Sequence, residues 1–172
     1  MTSDSGFSLI EVLVAAALLT VAAAGTGQLV VVAANALEAG RGRTATAMLA
    51  SQKMEQLRSL LWAYDAGGGV RSDLTTDVSR DPFTSAGSGL APSPAGTLDR
   101  DVDGYVDYLD AGGRWIGAGS TPPPETVYVR RWAIVPLDVD PVHTRVLVVV
   151  AKTIKNEGTV LIALKTRLIG ST

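Results

Sequence analysis

The sequence FSLIEVLVAAALLTVAAAGTGQLVVVAA, residues 7–34, decides the fold because it predicts one long apolar helix. Residues 12–34 hold 23 positions without a charged side chain, which is long enough for a helix to cross the hydrocarbon core of a membrane. Glu11 lies at the N-terminal end of this apolar segment, where inserting a carboxylate into the membrane costs free energy unless it has a partner. No Lys, Arg or His lies between Met1 and Gly40, so the expected partner is a chain terminus, another molecule or a proton.

The segment GFSLIEVLVA, residues 6–15, is similar to the cleavage and methylation segment of type IV prepilins and type II secretion pseudopilins. The resemblance implies that a prepilin peptidase cuts after Gly6 and methylates the new amine of Phe7, and that Glu11 helps to register each subunit in a filament. It implies partners as well: other pilin or pseudopilin subunits, the prepilin peptidase, an ATPase and an inner-membrane assembly platform. It places the chain in the inner (cytoplasmic) membrane as a single-pass protein with its head outside the cytoplasm, before it enters a pilus or pseudopilus.

Several interpretations of this N-terminus stay open. The same N-terminal motif occurs in minor pilus subunits, secretion pseudopilins and DNA-uptake pseudopilins, so it does not distinguish among them. An alternative from another functional class is a membrane-anchored calcium- or ligand-binding module that does not polymerise. A cleaved secretory signal, with small residues at 22–24, and a plain single-span anchor are further alternatives. Arg41 and Arg43 follow the span, so charge alone favours the opposite orientation, and the orientation given above follows from the resemblance.

Composition argues against several functions. A net charge of −2 with scattered basic residues gives no basic stripe, so no nucleic-acid site is indicated. The absence of Cys excludes disulfides, thiolate chemistry and Cys-based zinc sites. The single His143 lies in a predicted turn, and no nucleophile motif surrounds any Ser, so the sequence predicts a protein that is not an enzyme.

The chain is predicted to contain five segments, in the order leader peptide 1–6, transmembrane and filament-core helix 7–35, amphipathic half of the same helix 36–66, loop region 67–98, and β-rich head 99–172. Apolar residues recur at spacings of three and four in the amphipathic half, at Ala47, Ala50, Met54, Leu57 and Leu61. Lys53 is assigned to the polar side of this helix, and the glycines at 67–69 are expected to end it.

Strand patterns fill the C-terminal half. A small hairpin is predicted from 105–109 and 114–116, and three longer strands at 126–135, 144–152 and 159–168 are joined by short turns, which favours antiparallel pairing. The middle strand is apolar on both faces, so we expect it to be central. The last strand has Val160, Ile162, Leu164 and Leu168 on one face and Lys165 and Arg167 on the other. The predicted fold class is α+β, with the apolar face of the sheet packed on the apolar stripe of the helix, as in pilins.

The segment DRDVDGYVDYLD, residues 99–110, matches the spacing of a calcium loop. Side-chain oxygens come from Asp99, Asp101, Asp103, Asp107 and Asp110, the backbone carbonyl comes from Tyr105, and Gly104 occupies the position of the sharp turn. Calcium is therefore the one cofactor that the sequence predicts. The alternative is a solvated Asp/Gly turn that leads into a strand.

Overall fold

The structure, a computed structural model, describes residues 8–64, 67–72, 89–154 and 158–167, with the backbone alone for 70–72. The elements within these residues are α1 Leu9–Ser59, β1 Trp62–Tyr64, β2 Val70–Ser72, β3 Val106–Leu109, β4 Trp115–Ala118, β5 Tyr128–Leu137, β6 Asp140–Thr153 and β7 Gly158–Thr166. The chain divides into two compact units, Met1–Arg41 and Gly42–Thr172. The leader 1–6 and Phe7 lie outside the described residues.

The first unit consists, where it is described, of the N-terminal part of α1. An 18-residue window of this helix has a mean hydropathy of 2.1 and none of it is buried, so the helix is long and apolar enough to cross a membrane. The helix continues through Gly25 and Gly27, and the Thr26 hydroxyl between them donates to the carbonyls of Ala22 and Ala23 at 3.1 and 2.9 Å. The hydroxyl is thereby satisfied within the helix, as an apolar surrounding requires.

The second unit contains two antiparallel sheets. β1 pairs with β2, and the larger sheet has the strand order β4-β3-β5-β6-β7, with every neighbouring pair antiparallel. β6 lies between β5 and β7, so the doubly apolar strand is an interior strand, whereas β5 holds the central position that was predicted for β6. The α+β class, the hairpin of β3 and β4 and the three long strands are confirmed.

The core lies between residues 49–60 and one face of the larger sheet. Ala50, Met54 and Leu57 are buried on the helix side, in agreement with the predicted apolar stripe. The sheet contributes the fully buried Trp132, Ile134, Leu147 and Val149. Each large apolar side chain buried here stabilises the fold by about 1.5–3 kcal/mol.

The expected orientation of β7 was wrong. Val160, Ile162 and Leu164 are 56–68% exposed, whereas Leu161 and Ala163 pack against the core. Lys165 shares the core-facing side because its ammonium donates to carbonyls at the end of α1, among them those of Leu57, Arg58 and Leu60. These carbonyls have no partner within the helix, so a cation on the core-facing side of β7 satisfies them.

The end of α1 also differs from the prediction. The helix ends at Ser59, and residues 62–64, predicted to be helical, form β1 instead. Leu60 and Trp62 are buried and Leu61 is 40% exposed, an alternation that fits extended chain and not a helix. The glycines at 67–69 belong to the connection between β1 and β2, where Gly68 has φ of +77°, a conformation that favours glycine.

The predicted loop region 67–98 contains β2 and a segment attached to the large sheet. The backbone N–H of Ser93 donates to the Ile134 carbonyl at 2.9 Å, and Leu90 is buried. Residues 73–88 lie outside the described residues. The end of the predicted loop is therefore part of the folded unit.

Candidate functional site

Ser8 and Glu11 form the N-terminal cap of α1. The Ser8 carbonyl accepts from the backbone N–H groups of Glu11 and Val12 at 3.0 and 3.3 Å, and the Ser8 hydroxyl accepts from the N–H of Ile10 at 3.4 Å. Glu11 reaches back, and its Oε2 accepts from the backbone N–H of Ser8 at 3.0 Å. Ser-x-x-Glu at a helix start with these reciprocal contacts is a capping box.

The cap gives Glu11 a partner that the sequence reasoning missed. We expected a terminus, another molecule or a proton, but a backbone amide three residues away already binds one carboxylate oxygen. The signal was present in the sequence, because Ser8 followed three residues later by Glu11 is the spacing of the motif. Gly6 and Phe7, the predicted processing residues, immediately precede this cap and lie outside the described residues.

The predicted calcium ligands are engaged in other contacts. Asp107 lies in β3, is fully buried, and makes ion pairs with Lys53 and Arg130. Asp101 makes an ion pair with Arg131 at 2.7 Å. A calcium loop must curl around its ion, whereas the strand that begins at residue 106 directs Asp107 into the core.

The remaining predicted ligands are spread along the loop. Asp110 Oδ1 accepts from the backbone N–H groups of Gly112 and Arg114 at 2.8 and 2.9 Å, which stabilises the turn between β3 and β4. The Tyr105 carbonyl accepts from the N–H of Trp132, and Asp99 and Asp103 are exposed. Among the described residues, which include all of 99–110, no three His, Cys, Asp or Glu form a group that could hold a metal. Calcium binding stays a prediction.

Asp107 is the centre of a buried ionic cluster that joins the helix to the sheet. Its Oδ2 accepts from Lys53 Nζ at 2.7 Å and from Arg130 Nη2 and Nε at 2.7 and 3.0 Å, and all three side chains are fully buried. Arg130 Nη1 also donates to the Leu49 carbonyl and to Gln52 Oε1 at 3.1 and 3.0 Å. Arg130, on β5, therefore binds both β3 and the helix.

In this cluster the ammonium of Lys53 and the guanidinium of Arg130 bind the same carboxylate oxygen. Burial raises the pKa of Asp107, and the charges of Lys53 and Arg130 act in the opposite direction. Lys53 Nζ lies 4.4 Å from the centroid of the Trp132 ring, whose π face attracts a cation. Asp107 Oδ1 and Trp132 Nε1 are buried and have no hydrogen-bond partner among the described residues.

The position of Lys53 corrects the sequence analysis, which placed it on the polar side of the helix. Ala50, Lys53, Met54 and Leu57 are spaced by three, one and three residues, so they share one face, and all four are buried. On the core side, the Lys53 ammonium donates to Asp107. The spacing of Lys53 relative to Ala50, Met54 and Leu57 was sufficient to predict its core-facing position. Its partner Asp107 on β3 could not be predicted from a local pattern.

The N-terminal segment resembles a known protein family. Residues 1–27 match the family model described as the prokaryotic N-terminal methylation motif. Together with the long apolar helix that follows, the match supports a type IV pilin-like protein, in agreement with the sequence resemblance. The matched motif supports processing by a prepilin peptidase. No curated protein and no solved structure matches the chain.

Proposed function

We propose that this chain is a structural subunit, a minor pilin or a pseudopilin, of a type IV pilus or of a type II secretion-like filament. The motif match over residues 1–27, continued by an exposed apolar helix, carries this proposal. The peptidase cuts after Gly6, the mature chain begins at Phe7, and other pilin-like subunits, an ATPase and an inner-membrane platform assemble it. The role is mechanical and not catalytic.

The exposed apolar surface of α1 supports both stages of this function. Residues such as Leu13, Leu19 and Val30 are 61–72% exposed, and so large an apolar surface requires lipid or other helices around it. Before assembly the surface faces lipid in the inner membrane, with the second unit outside the cytoplasm. After assembly the same surface packs on the helices of neighbouring subunits.

Glu11 has two roles in this proposal. In the precursor and in the membrane, its carboxylate caps the helix through the Ser8 amide. During docking it also offsets the charge of a Phe7 amine, because cleavage creates an ammonium close to the cap. The cap holds the carboxylate at the helix start before its charge is used.

Processing is tested at Gly6. A bulky replacement, Gly6→Leu, should leave an unprocessed precursor in the membrane, whereas Gly6→Ala keeps a small residue before the cut. Mass spectrometry of the mature chain distinguishes the interpretations, since cleavage before Phe7 supports the pilin assignment and cleavage near 22–25 a secretory signal. Normal cleavage of Gly6→Leu would overturn the assignment.

The role of Glu11 is tested with two variants that separate its charge from its cap. Glu11→Gln removes the charge and keeps an oxygen that can accept from the Ser8 amide, whereas Glu11→Val removes both. Both variants should insert into the membrane, and both should be defective in filament incorporation. Glu11→Val alone should also lose the cap, worth about 1 kcal/mol. Wild-type incorporation of Glu11→Gln, measured in sheared filaments, would show that docking does not use the charge.

A further inference from the structure

Two arginines and two aromatic rings form a cluster on the second unit, which we term the Arg145–Arg167 cluster. Arg145 on β6 and Arg167 just after β7 lie over the Trp62 ring, with the guanidinium carbons 4.8 and 4.7 Å from its centroid. Arg167 also lies 4.9 Å from the centroid of the Tyr64 ring, and that ring is 6.0 Å from the ring of His143. Stacking on aromatic faces leaves the edge N–H groups of a guanidinium available to an oxyanion.

The cluster lacks a counterion among the described residues. No described carboxylate lies within the 4.0 Å ion-pair distance of Arg145 or Arg167. The Nε atoms of both side chains are buried without a hydrogen-bond partner. Burial and the charge of Arg167 lower the pKa of Arg145, which shows that the two cations disfavour one another.

Asp140, the nearest acidic residue to Arg145 along the chain, is already used locally. Asp140 Oδ1 contacts His143 Nδ1 at 2.7 Å, and its Oδ2 accepts from the Thr144 hydroxyl at 2.9 Å. The His143 contact lowers the pKa of Asp140, in keeping with a carboxylate that is held by donors. Among the described residues, the two arginines therefore have no carboxylate partner, and the carboxylates of a second molecule can bind them.

Exposed carboxylates without an ion-pair partner occur in the loop before β3. Asp99 and Asp103 are exposed and form no ion pair among the described residues, in contrast to Asp101 in the same loop. They cannot reach the arginines of their own chain. Residue 106 at the start of β3 is paired with residue 131, whereas Arg145 is paired with residue 136, so the two sites are about 17 Å apart along β5 alone.

We propose that the Arg145–Arg167 cluster docks the acidic loop 99–103 of a second copy of this chain. This proposal rests on the proposed function, since it describes how neighbouring heads in a filament meet. The two surfaces are different and lie on different strands of the sheet, so the contact is heterologous, and a heterologous contact that does not close into a ring produces an open array. Charge complementarity between the two surfaces supplies its specificity.

The chain contains no Cys, so a disulfide between introduced cysteines reports the contact without background from native thiols. The exposed Pro141 lies on the same face of β6 as Arg145, and its carbonyl accepts from Arg145 Nη1 at 2.5 Å. The exposed Ser120 adjoins Gly119, whose Cβ position would lie 3.7 Å from Asp103 Oδ1. Full-length chains carrying Pro141→Cys and full-length chains carrying Ser120→Cys are co-expressed in the membrane and oxidised. The proposal predicts a disulfide-linked dimer of the two.

Charge reversal then tests the specificity. Arg145→Glu with Arg167→Glu in the first chain should reduce the dimer by about tenfold or more, and so should Asp99→Arg with Asp103→Arg in the second. Combining both reversed chains should restore it. Lys152→Glu, a reversal on the same strand β6 but at its other end, should leave the dimer unchanged.

Each outcome decides between the alternatives. Failure of the combined reversal to restore the dimer, or a dimer insensitive to either reversal, overturns the docking proposal. Should the glutamate variants be degraded, Arg145→Gln with Arg167→Gln removes the charge without reversing it and must still lower the yield. Filaments that contain the chain without this disulfide overturn the docking contact alone, whereas a chain that is never cleaved after Gly6 overturns the proposed function.

Discussion

The buried cluster of Lys53, Asp107 and Arg130 makes a quantitative prediction about which of its charges the fold can lose. Replacing Asp107 by Asn removes the carboxylate whose Oδ2 accepts from both buried cations. Breaking a buried ion pair from one side costs about 3–5 kcal/mol. We therefore expect Asp107→Asn to lower the free energy of unfolding by about that amount, a large part of the 5–15 kcal/mol that is typical of a domain.

Replacing Lys53 by Met should have a much smaller effect. The remaining Asp107 and Arg130 are joined by two hydrogen bonds and are neutral together, and Met fills much of the space left by the lysine chain. The losses include the ion pair with Asp107 and the contact with the Trp132 ring, and the gain is that an ammonium group no longer has to be desolvated. We expect a change within about 1 kcal/mol.

The assay is denaturant unfolding of the full-length chain in detergent, followed by tryptophan fluorescence, because Trp132 lies in the core beside the cluster. Asp101→Asn is the matched control: it breaks the Asp101–Arg131 pair, whose side chains are 24% and 18% exposed, and should cost about 1 kcal/mol or less. If Lys53→Met destabilises the chain as much as Asp107→Asn does, Arg130 alone does not balance the charge of Asp107.

Two further predictions concern a tyrosine and a pair of glycines. Burial, together with the nearby Asp101 carboxylate, raises the pKa of Tyr108 to about 12. The neutral phenol therefore contributes to the free energy of unfolding below the ordinary tyrosine pKa of 10.0, and this contribution is lost as the pH rises towards 12. The tyrosinate absorbance that disappears in Tyr108→Phe measures this pKa, and Asp101→Asn should lower it; an unchanged value would remove Asp101 from the explanation. Gly25→Ala should stabilise α1 by about 1 kcal/mol, since its Cβ would meet nothing within 4 Å. Gly158→Ala should destabilise the β6–β7 pair by about 1–3 kcal/mol, since its Cβ would lie 2.4 Å from the Ala151 carbonyl, and equal melting temperatures of the two variants would contradict both statements.

Local periodicity was sufficient to predict α1 and the strands of the larger sheet, but not β1 and β2. The alternation in β5, β6 and β7 and the three-and-four spacing in α1 each depend on side chains a few residues apart. The same alternation separates the adjacent arginines on β5: Arg130 binds Asp107 in the core, and Arg131 binds Asp101 nearer the surface.

Periodicity could not predict which side of β7 faces the helix. Either side satisfies the alternation, and the choice depends on Lys165, which satisfies carbonyls at the end of α1 more than 100 residues earlier in the chain. The same holds for Lys53, because its counterion lies on a strand that is distant in sequence. In each case a charged residue that needs a remote partner determines the side that faces inward.

The calcium prediction was also based on local spacing, whereas Asp101 and Asp107 bind arginine and lysine residues that are distant in sequence. To use all six predicted ligands, a calcium ion must separate Asp107 from Lys53 and Arg130, which costs about 3–5 kcal/mol. The binding free energy of a loop with millimolar affinity is only about 4 kcal/mol, so it does not exceed this cost. An ion that does bind must therefore use the loop before β3, where Asp103 is exposed and Asp101 needs only to leave a partly exposed pair with Arg131.

Titration of calcium into the full-length chain, with magnesium as the control, should then raise the melting temperature at millimolar calcium, and Asp101→Ala with Asp103→Ala should abolish that rise. An unchanged melting temperature, or a rise that persists in the double variant, would refute calcium binding by this loop.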